Sequence, residues 1–428
     1  MKKRHVILLY GATGDLAIKK ILPALSLIIS NQDFSKDFAI LALGRRDFDT
    51  LKYLEYAKKI NSSIDIDILS KYLGYVNIDV SNLHDYYYLK NIIKDLSDFK
   101  TKVIHFLAIA PSLVLQVAKN LSESEIVTKQ SRSHRIIVEK PFGFNLKTAK
   151  NLKKQLWKHF DEQQIYRMDH YLGKEAIMEI FDVKFQNKIS SVIFKEKQIK
   201  EINVFAFEKD GILKRGEYYD KAGAVRDLIQ SHLLQIVSLI LMDEPKCNAC
   251  EDLINAKISA LKKVFLPKTC CLFGQYEGYK IEKNVSRKTK TETFSFVTLK
   301  SKSKKYKNVA INIITGKKMN EKKSGIIVEF TSGEKIQFDL NKNKIIVTQN
   351  KKDKTIFEKA DFSPYAKLIM QAFESDKRYF VRFDEIETAW KIVDKIEKTK
   401  KEVFVYKTND DIKSQLKSVN VEVFDDLL

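Results

Sequence analysis

A strand-length apolar run at residues 6–10 ends in Gly11-Ala12-Thr13-Gly14-Asp15-Leu16-Ala17, and a helical apolar pattern follows through Ile21, Leu22, Leu25, Ile28 and Ile29. A strand that turns through glycines straight into a helix aims backbone N–H groups and a helix amino terminus at one point, an arrangement suited to a pyrophosphate. The usual three-glycine spacing is broken by Ala17 at the third place. Strand and helix patterns then alternate: strands at residues 38–43, 73–80, 103–107 and 135–139, with helices from about Asp85 and from Ser112. Such alternation predicts an α/β, doubly wound, Rossmann-type parallel sheet whose ligands collect beyond the carboxyl ends of the strands.

Those strand ends carry chemistry. The second runs into Gly44-Arg45-Arg46, where an acid would be expected for a free ribose hydroxyl pair. An arginine there favours a 2′-phosphate, and so NADP over NAD, with NAD the weaker alternative. The strand at 135–139 runs into Glu139-Lys140-Pro141-Phe142-Gly143; Lys140 is expected to project into the crevice, and the bond before Pro141 is a candidate cis peptide.

Chemistry is densest between Asp169 and Lys174, where Asp169, His170, Tyr171 and Lys174 stand close together. If the chain turns helical near Leu172, His170, Tyr171 and Lys174 share a face suited to a phosphate monoester, leaving Asp169 free to orient another group. A long helical pattern runs over residues 217–242. On an α-helix Asp227 and His232 would lie about 140° apart and flank the axis instead of sharing a face. An acid–imidazole pair of Asp169 with His232 is the alternative use of that histidine.

At 428 residues the chain is long enough for two domains, read as 1–172 and 173–428. Short β-rich stretches at 293–299, 309–314, 325–330, 335–340 and 344–347 predict an antiparallel sheet, hence an α+β second domain, with helices at 363–373 and 384–397. The net charge of +21 comes largely from lysine runs with few arginines and little aromatic interleaving. These are expected as solvated faces, not as a nucleic-acid surface, and their field would draw in anionic small molecules. The first apolar run is too short for a signal peptide and the segment 233–242 too short to span a bilayer, so a cytoplasmic protein without membrane attachment is expected. Cys247 with Cys250 has metal-ligand spacing, but Cys270 and Cys271 are adjacent and chelate one tetrahedral ion badly. Reduced thiols and no metal are expected.

The motifs together resemble the glucose-6-phosphate dehydrogenase family. The resemblance rests on Gly11 to Ala17 with Lys19, Lys20 and Pro23, on Glu139-Lys-Pro-Phe-Gly143, and on Tyr166-Arg-Met-Asp-His-Tyr-Leu-Gly-Lys174. It continues through Arg215-Gly-Glu-Tyr-Tyr-Asp220, Gly223, Arg226-Asp227, Gln230, His232-Leu-Leu-Gln235 and Thr315-Gly-Lys317. It implies oxidation of glucose 6-phosphate to 6-phosphogluconolactone with NADP, the first step of the oxidative pentose phosphate pathway. By the same resemblance His232 is the general base and Asp169 its orienting acid, while His170, Tyr171 and Lys174 grip the sugar phosphate. Glu208 and Asp227 would bind sugar hydroxyls, and Lys140 would reach both sugar and nicotinamide ribose. Lys317, Lys322 and Lys20 would be further substrate contacts. Gly11, Ala12, Thr13, Gly14, Asp15, Leu16 and Arg45 would hold the coenzyme, and subunits would pair on the second-domain sheet into a homodimer or homotetramer. Three departures stand out. Ile314 precedes Thr315-Gly-Lys317 where some members carry an arginine for a second, structural NADP, so that site is expected to be absent. Lys322 replaces a substrate-binding arginine, and Asn341-Lys342 occupies the place of a Gln-Pro pair. They leave open a catalytically silent NADPH-binding paralogue; a different sugar oxidoreductase of the same fold is the other alternative.

Overall fold

Strands β1 (His5–Tyr10) and β2 (Phe38–Gly44) are buried along almost their whole length. Helices cover both faces of a parallel sheet, so these strands read as unbroken apolar runs without alternation. With β3 (Leu73–Asn77), β4 (Lys102–Leu107), β5 (His134–Glu139) and β6 (Ile165–Met168) they form a six-stranded sheet in the order β3-β2-β1-β4-β5-β6, parallel throughout. This is the doubly wound topology expected. The strand order reverses beside β1, so the turns after β1 and β4 diverge there and open a crevice.

The computed structural model describes residues 2–30, 37–246, 250–267, 271–360, 362–399, 402–419 and 421. It divides into two compact units, Met1–Gly143 with Lys147–Gly173 and Phe362–Phe383, and Phe144–Leu146 with Lys174–Asp361 and Asp384–Leu428. The first unit thus takes a helix, Pro364–Glu374, from late in the chain. Ser363 caps it by accepting from the Ala366 N–H (3.3 Å), and Pro364 sits at the first helical position, where its missing N–H costs nothing. Phe373 packs edge-on against Phe38 (5.6 Å) and His5 (4.9 Å), and the Arg135 guanidinium reaches the Ser375 hydroxyl (2.5 Å).

The second unit is built on a ten-stranded sheet. Its main path runs β15 (Lys352–Glu358), β14 (Lys344–Gln349), β13 (Lys335–Asp339), β12 (Lys323–Phe330), β7 (Ile199–Phe207), β11 (Ala310–Gly316), β10 (Phe294–Ser301), β9 (Cys271–Tyr276) and β16 (Phe404–Tyr406). The two-residue β8 (Val264–Phe265) pairs with β10 off that path. The sheet is mixed, not purely antiparallel as the closely spaced strands suggested, because β7 with β11 and β9 with β16 run parallel. Each of those pairs is joined by a long crossover containing helices, which is what a parallel pairing requires. The crossover from β7 carries the helical run Leu213–Leu241, long and apolar enough by composition to cross a bilayer but almost wholly buried. It ends where the buried Lys184 ammonium donates to the carbonyls of Leu239 (3.3 Å), Ile240 (2.6 Å) and Met242 (2.7 Å), satisfying carbonyls that a helix end leaves open. Cys271 opens β9, whereas Cys247, Cys270 and the side chain of Cys250 lie outside the described residues.

Candidate active site

In the first unit the predicted residues gather at the carboxyl ends of the strands. Gly11 adopts φ +74°, and a Cβ there would meet the Ala108 carbonyl oxygen at 2.5 Å, so only glycine fits between β1 and β4. The N–H groups of Gly11 and Ala12 donate to the Leu43 carbonyl (3.1 and 3.0 Å), and Gly14 N–H closes the turn on Gly11 O (2.9 Å). The turn enters a π-helical segment, Ala17–Ile21, which continues as the α-helix Leu22–Ser30. Asp15, Lys19 and Lys20 are exposed along this entry, with Asp15 and Lys19 paired at 3.0 Å. Arg45 is exposed just past β2. This is a glycine turn at a strand end entering a helix, and it fits a nicotinamide dinucleotide.

Lys140 follows β5 half-buried, and the Lys140–Pro141 bond is cis. Glu139 pairs in register with Met168, the residue before Asp169, so two carboxyl groups stand at adjacent strand ends. Burial and then the charge of Asp169 push the Glu139 carboxyl up to about 8. Asp169 is itself buried; it caps the next turn by accepting from the Tyr171 N–H (3.0 Å), while its carbonyl accepts from Leu172 (3.0 Å).

That turn differs from the expected α-helical face. Residues His170–Gly173 form one 3₁₀ turn, and Lys174 is extended (φ −72°, ψ 133°) at the start of a new helix, Glu175–Met178. Four residues of a 3₁₀ turn followed by an extended one do not place His170 and Lys174 on a common α-helical face. The cause is tertiary: a Cβ at Gly173 would meet Pro364 O at 2.6 Å, so the chain is pressed flat against the late helix there. His170 stacks on Tyr365 of that helix (5.8 Å, 7° between planes) and meets Tyr171 edge-on (5.1 Å). Tyr365, close enough to Glu139 and Asp169 to feel both charges, carries no local sequence signal because its partners are distant in the chain. Lys174 belongs to the second unit, where its ammonium donates to Leu340 O (2.8 Å).

In the second unit the single helix expected over 217–242 is broken. Gly223 takes φ 68°, ψ 176°, and a Cβ there would strike the Glu292 carboxylate at 2.4 Å. Glu292 receives the two N–H groups exposed by the break, Ala224 on its carbonyl (3.0 Å) and Val225 on its carboxylate (3.0 Å). The chain restarts as a π-helix, Val225–Leu233, packed against β7 and β11, before continuing as the α-helix Leu234–Leu241. A π turn closes its hydrogen bonds over five residues instead of four, so positions five apart lie closer to one side than they would on an α-helix. Asp227 and His232, both buried, are such a pair. Asp227 faces the Arg215 guanidinium at 3.3 Å.

Glu208 and Lys317, both expected to touch substrate, form an ion pair with each other. Backbone bonds fix both: Glu208 N–H to Gly316 O (2.9 Å), Lys317 N–H to Thr293 O (2.9 Å), and the Tyr406 hydroxyl to Lys317 O (2.6 Å). Lys317 is buried with its ammonium 5.0 Å from the centre of the Tyr219 ring, whereas Glu208 is part-exposed. Such a pair holds a carboxylate ready to accept from hydroxyl groups with its charge already balanced. Lys322 is exposed before β12, and its carbonyl accepts from Asn341 (3.2 Å), whose side-chain oxygen also takes the Ser324 N–H (2.9 Å). Asn341 thus ties a hairpin.

Residues 8–179 match the family model for the glucose-6-phosphate dehydrogenase NAD binding domain, and residues 181–360 and 347–419 match that for its C-terminal domain. The glucose-6-phosphate 1-dehydrogenase of Helicobacter pylori (strain J99) is 31% identical over 399 residues, 91% of each chain. Among solved structures, glucose-6-phosphate 1-dehydrogenase from Mycobacterium avium aligns with a TM-score of 0.83 at 25% identity, covering 95% of this chain and 94% of that one. A glucose-6-phosphate dehydrogenase in complex with its substrate glucose 6-phosphate aligns over the same shares with a TM-score of 0.84 at 25% identity. With a glycine cradle at β1, an acid–histidine–tyrosine turn after β6 and both family domains matched in order, the chain belongs to the glucose-6-phosphate dehydrogenase family of oxidoreductases.

Proposed function

We propose that this chain oxidises D-glucose 6-phosphate to 6-phosphogluconolactone with NADP as hydride acceptor, opening the oxidative pentose phosphate pathway in the cytoplasm as a homodimer or homotetramer. The observation that carries the reading is His232, buried five residues after the buried Asp227 on a π-helical segment, in a chain of this family. Making a lactone from a hemiacetal takes a hydride from the anomeric carbon and a proton from its hydroxyl, so a positioned base must accept the proton as the hydride leaves. His232 is that base. Asp169 orients its ring and favours the imidazolium, the part an acid plays beside a catalytic histidine.

Asp227 and Glu208 accept hydrogen bonds from sugar hydroxyls, and Lys317 pairs with Glu208. His170, Tyr171 and Lys174 hold the phosphate, with Lys140, Lys20 and Lys322 adding positive charge. Lys322 supplies a point charge where an arginine would offer a fork, which weakens directionality but keeps attraction. Anchoring the phosphate far from the reacting carbon fixes the anomeric centre, an effect worth several kcal/mol of barrier in well-oriented sites. NADP, held by Gly11, Ala12, Thr13, Gly14, Asp15, Leu16, Arg45 and Lys140, supplies the hydride acceptor when bound. NAD is the weaker alternative.

The test is absorbance of reduced nicotinamide when purified protein meets glucose 6-phosphate, with NADP and NAD in parallel and free glucose as control. Reduction of NADP that depends on the sugar phosphate is the expected result. Binding of NADPH without any reduction would overturn the reading in favour of a catalytically silent paralogue, and equal turnover of free glucose would overturn the phosphate contacts.

A further inference from the structure

Two turns must be held at a set separation if one coenzyme is to touch both: the glycine turn after β1 and the Gly44-Arg45-Arg46 turn after β2. A pair of tyrosines links them. Tyr53, fully buried on the helix Thr50–Ile60, donates its hydroxyl to the Ala12 carbonyl inside the glycine turn (2.9 Å). Its ring stacks on Tyr75 of β3, with centroids 4.9 Å apart and planes at 29°. The Tyr75 hydroxyl in turn donates to the Arg46 carbonyl (2.9 Å). It also lies so close over Gly44 that a Cβ there would meet it at 2.7 Å. One turn is thus braced to the other through two rings and two hydrogen bonds.

The neighbouring arginine is engaged as well. The Arg46 guanidinium lies over the Tyr56 ring at 4.5 Å and within 5.9 Å of the Phe48 ring, and Phe48 continues the aromatic row to Tyr75 (5.9 Å). A guanidinium over an aromatic face is held by the ring quadrupole and by stacking, so moving Arg46 onto a phosphate would first break that contact. Among the described residues Arg45 has no such ring beneath it.

We infer that Tyr53 and Tyr75 are positioning residues that set Arg45 opposite the coenzyme's 2′-phosphate, and that Arg46 serves to pin the turn and is not a phosphate ligand. The inference rests on the NADP reading above. Neither tyrosine touches the phosphate; the Tyr75 hydroxyl fixes the backbone from which Arg45 projects and the Tyr53 hydroxyl fixes the glycine turn beside it, the supporting role that makes a first contact accurate. Burial pushes the Tyr53 phenol up, so it remains a neutral donor across the working pH range.

Calorimetric titration of the full chain with adenosine 2′,5′-bisphosphate and with 5′-AMP tests this without turnover. The two probes differ only in the 2′-phosphate, so a merely structural effect weakens both alike. Wild type should prefer the bisphosphate, and Arg45→Gln should abolish the preference. Tyr75→Phe and Tyr53→Phe, which keep the ring stack, should each weaken bisphosphate binding by about five- to tenfold and 5′-AMP by less than about twofold, the loss of one positioned hydrogen bond. Arg46→Gln should leave the preference within about twofold of wild type. If the two Phe variants keep the full preference, or if Arg46→Gln abolishes it as Arg45→Gln does, the positioning assignment is wrong while the NADP reading stands. If wild type itself shows no preference, the NADP reading falls and takes the assignment with it.

Discussion

The two sheets place their chemistry in opposite ways. In the six-stranded parallel sheet the strands are buried scaffolding, and Gly11, Arg45, Lys140 and Asp169 all stand within a few residues of a strand's carboxyl end. In the ten-stranded mixed sheet burial fades from β7 outward until β15 is mostly exposed and lysine-bearing, an edge guarded by charge. Of its candidate residues, Asp227 and His232 ride on a helical segment that has left α geometry. A parallel sheet collects its strand ends in one place by topology alone. A mixed sheet does not, so in the second unit a locally costly device, a helix broken at Gly223 and rewound as a π turn, sets the positions of the buried Asp227 and His232.

The hardest blow to this contrast is His232→Asn. It should lower kcat by about 10²- to 10⁴-fold, the usual worth of a general base, with KM for the sugar phosphate little changed. Near-normal turnover in steady-state assays would show that the π segment aims nothing catalytic. Next is Lys257→Met. Lys257 and Glu385 form a fully buried ion pair at 2.9 Å in the second unit, and stranding Glu385 should cost about 3–5 kcal/mol in denaturant unfolding. A loss below about 1 kcal/mol would mean that water reaches the pair.

Gly223→Ala probes the kink directly. With φ at 68° and the Glu292 carboxylate 2.4 Å from the added methyl, about 1–3 kcal/mol of stability should be lost together with turnover. If activity survives intact, the break is not needed to set the register of Asp227 and His232. A further test lies in the pH dependence of the first unit. Burial holds His134 at about 4 against an ordinary 6.5. Below pH 6.5 the unfolded chain takes up a proton that the folded one refuses, so stability falls as pH drops from 6.5 towards 4. Glu139 has the opposite slope, because its carboxyl is raised from 4.5 to about 8 and keeps a proton over that window which the unfolded chain releases. Stability therefore falls as pH rises from 4.5 to 8, and Glu139→Gln should flatten the alkaline side while His134→Asn flattens the acid side. Unfolding curves at pH 5, 6.5 and 8 that remain parallel to wild type for both variants would refute these assignments.

Much of the first unit could be read without coordinates. Gly11, the apolar runs of β1 and β2 and the position of Lys140 before Pro141 all reflect constraints within a few residues, and such constraints leave a pattern in the order of residue types. The 3₁₀ turn at His170 leaves no local pattern because the residues that flatten it, Pro364 and Tyr365, come from far along the chain. The mutual pairing of Glu208 with Lys317 was likewise hidden, since strand register in a mixed sheet depends on which of several similar strands become neighbours.

By itself, then, the amino-acid order determined the first five strands of the parallel sheet, where the glycine cradle lies, and which acids, histidines and lysines are candidates for chemistry, because hydrophobic period and glycine placement act locally. Only the tertiary structure decided how those candidates are aimed. The segment carrying Asp227 and His232 restarts as a π-helix where Glu292, from a distant loop, takes the two N–H groups that a continuous α-helix would have used, and Tyr53 and Tyr75 tie the two coenzyme turns together through hydrogen bonds to carbonyls in other elements. Such long-range hydrogen bonds outweigh the few tenths of a kcal/mol per residue by which local propensity would favour a regular helix.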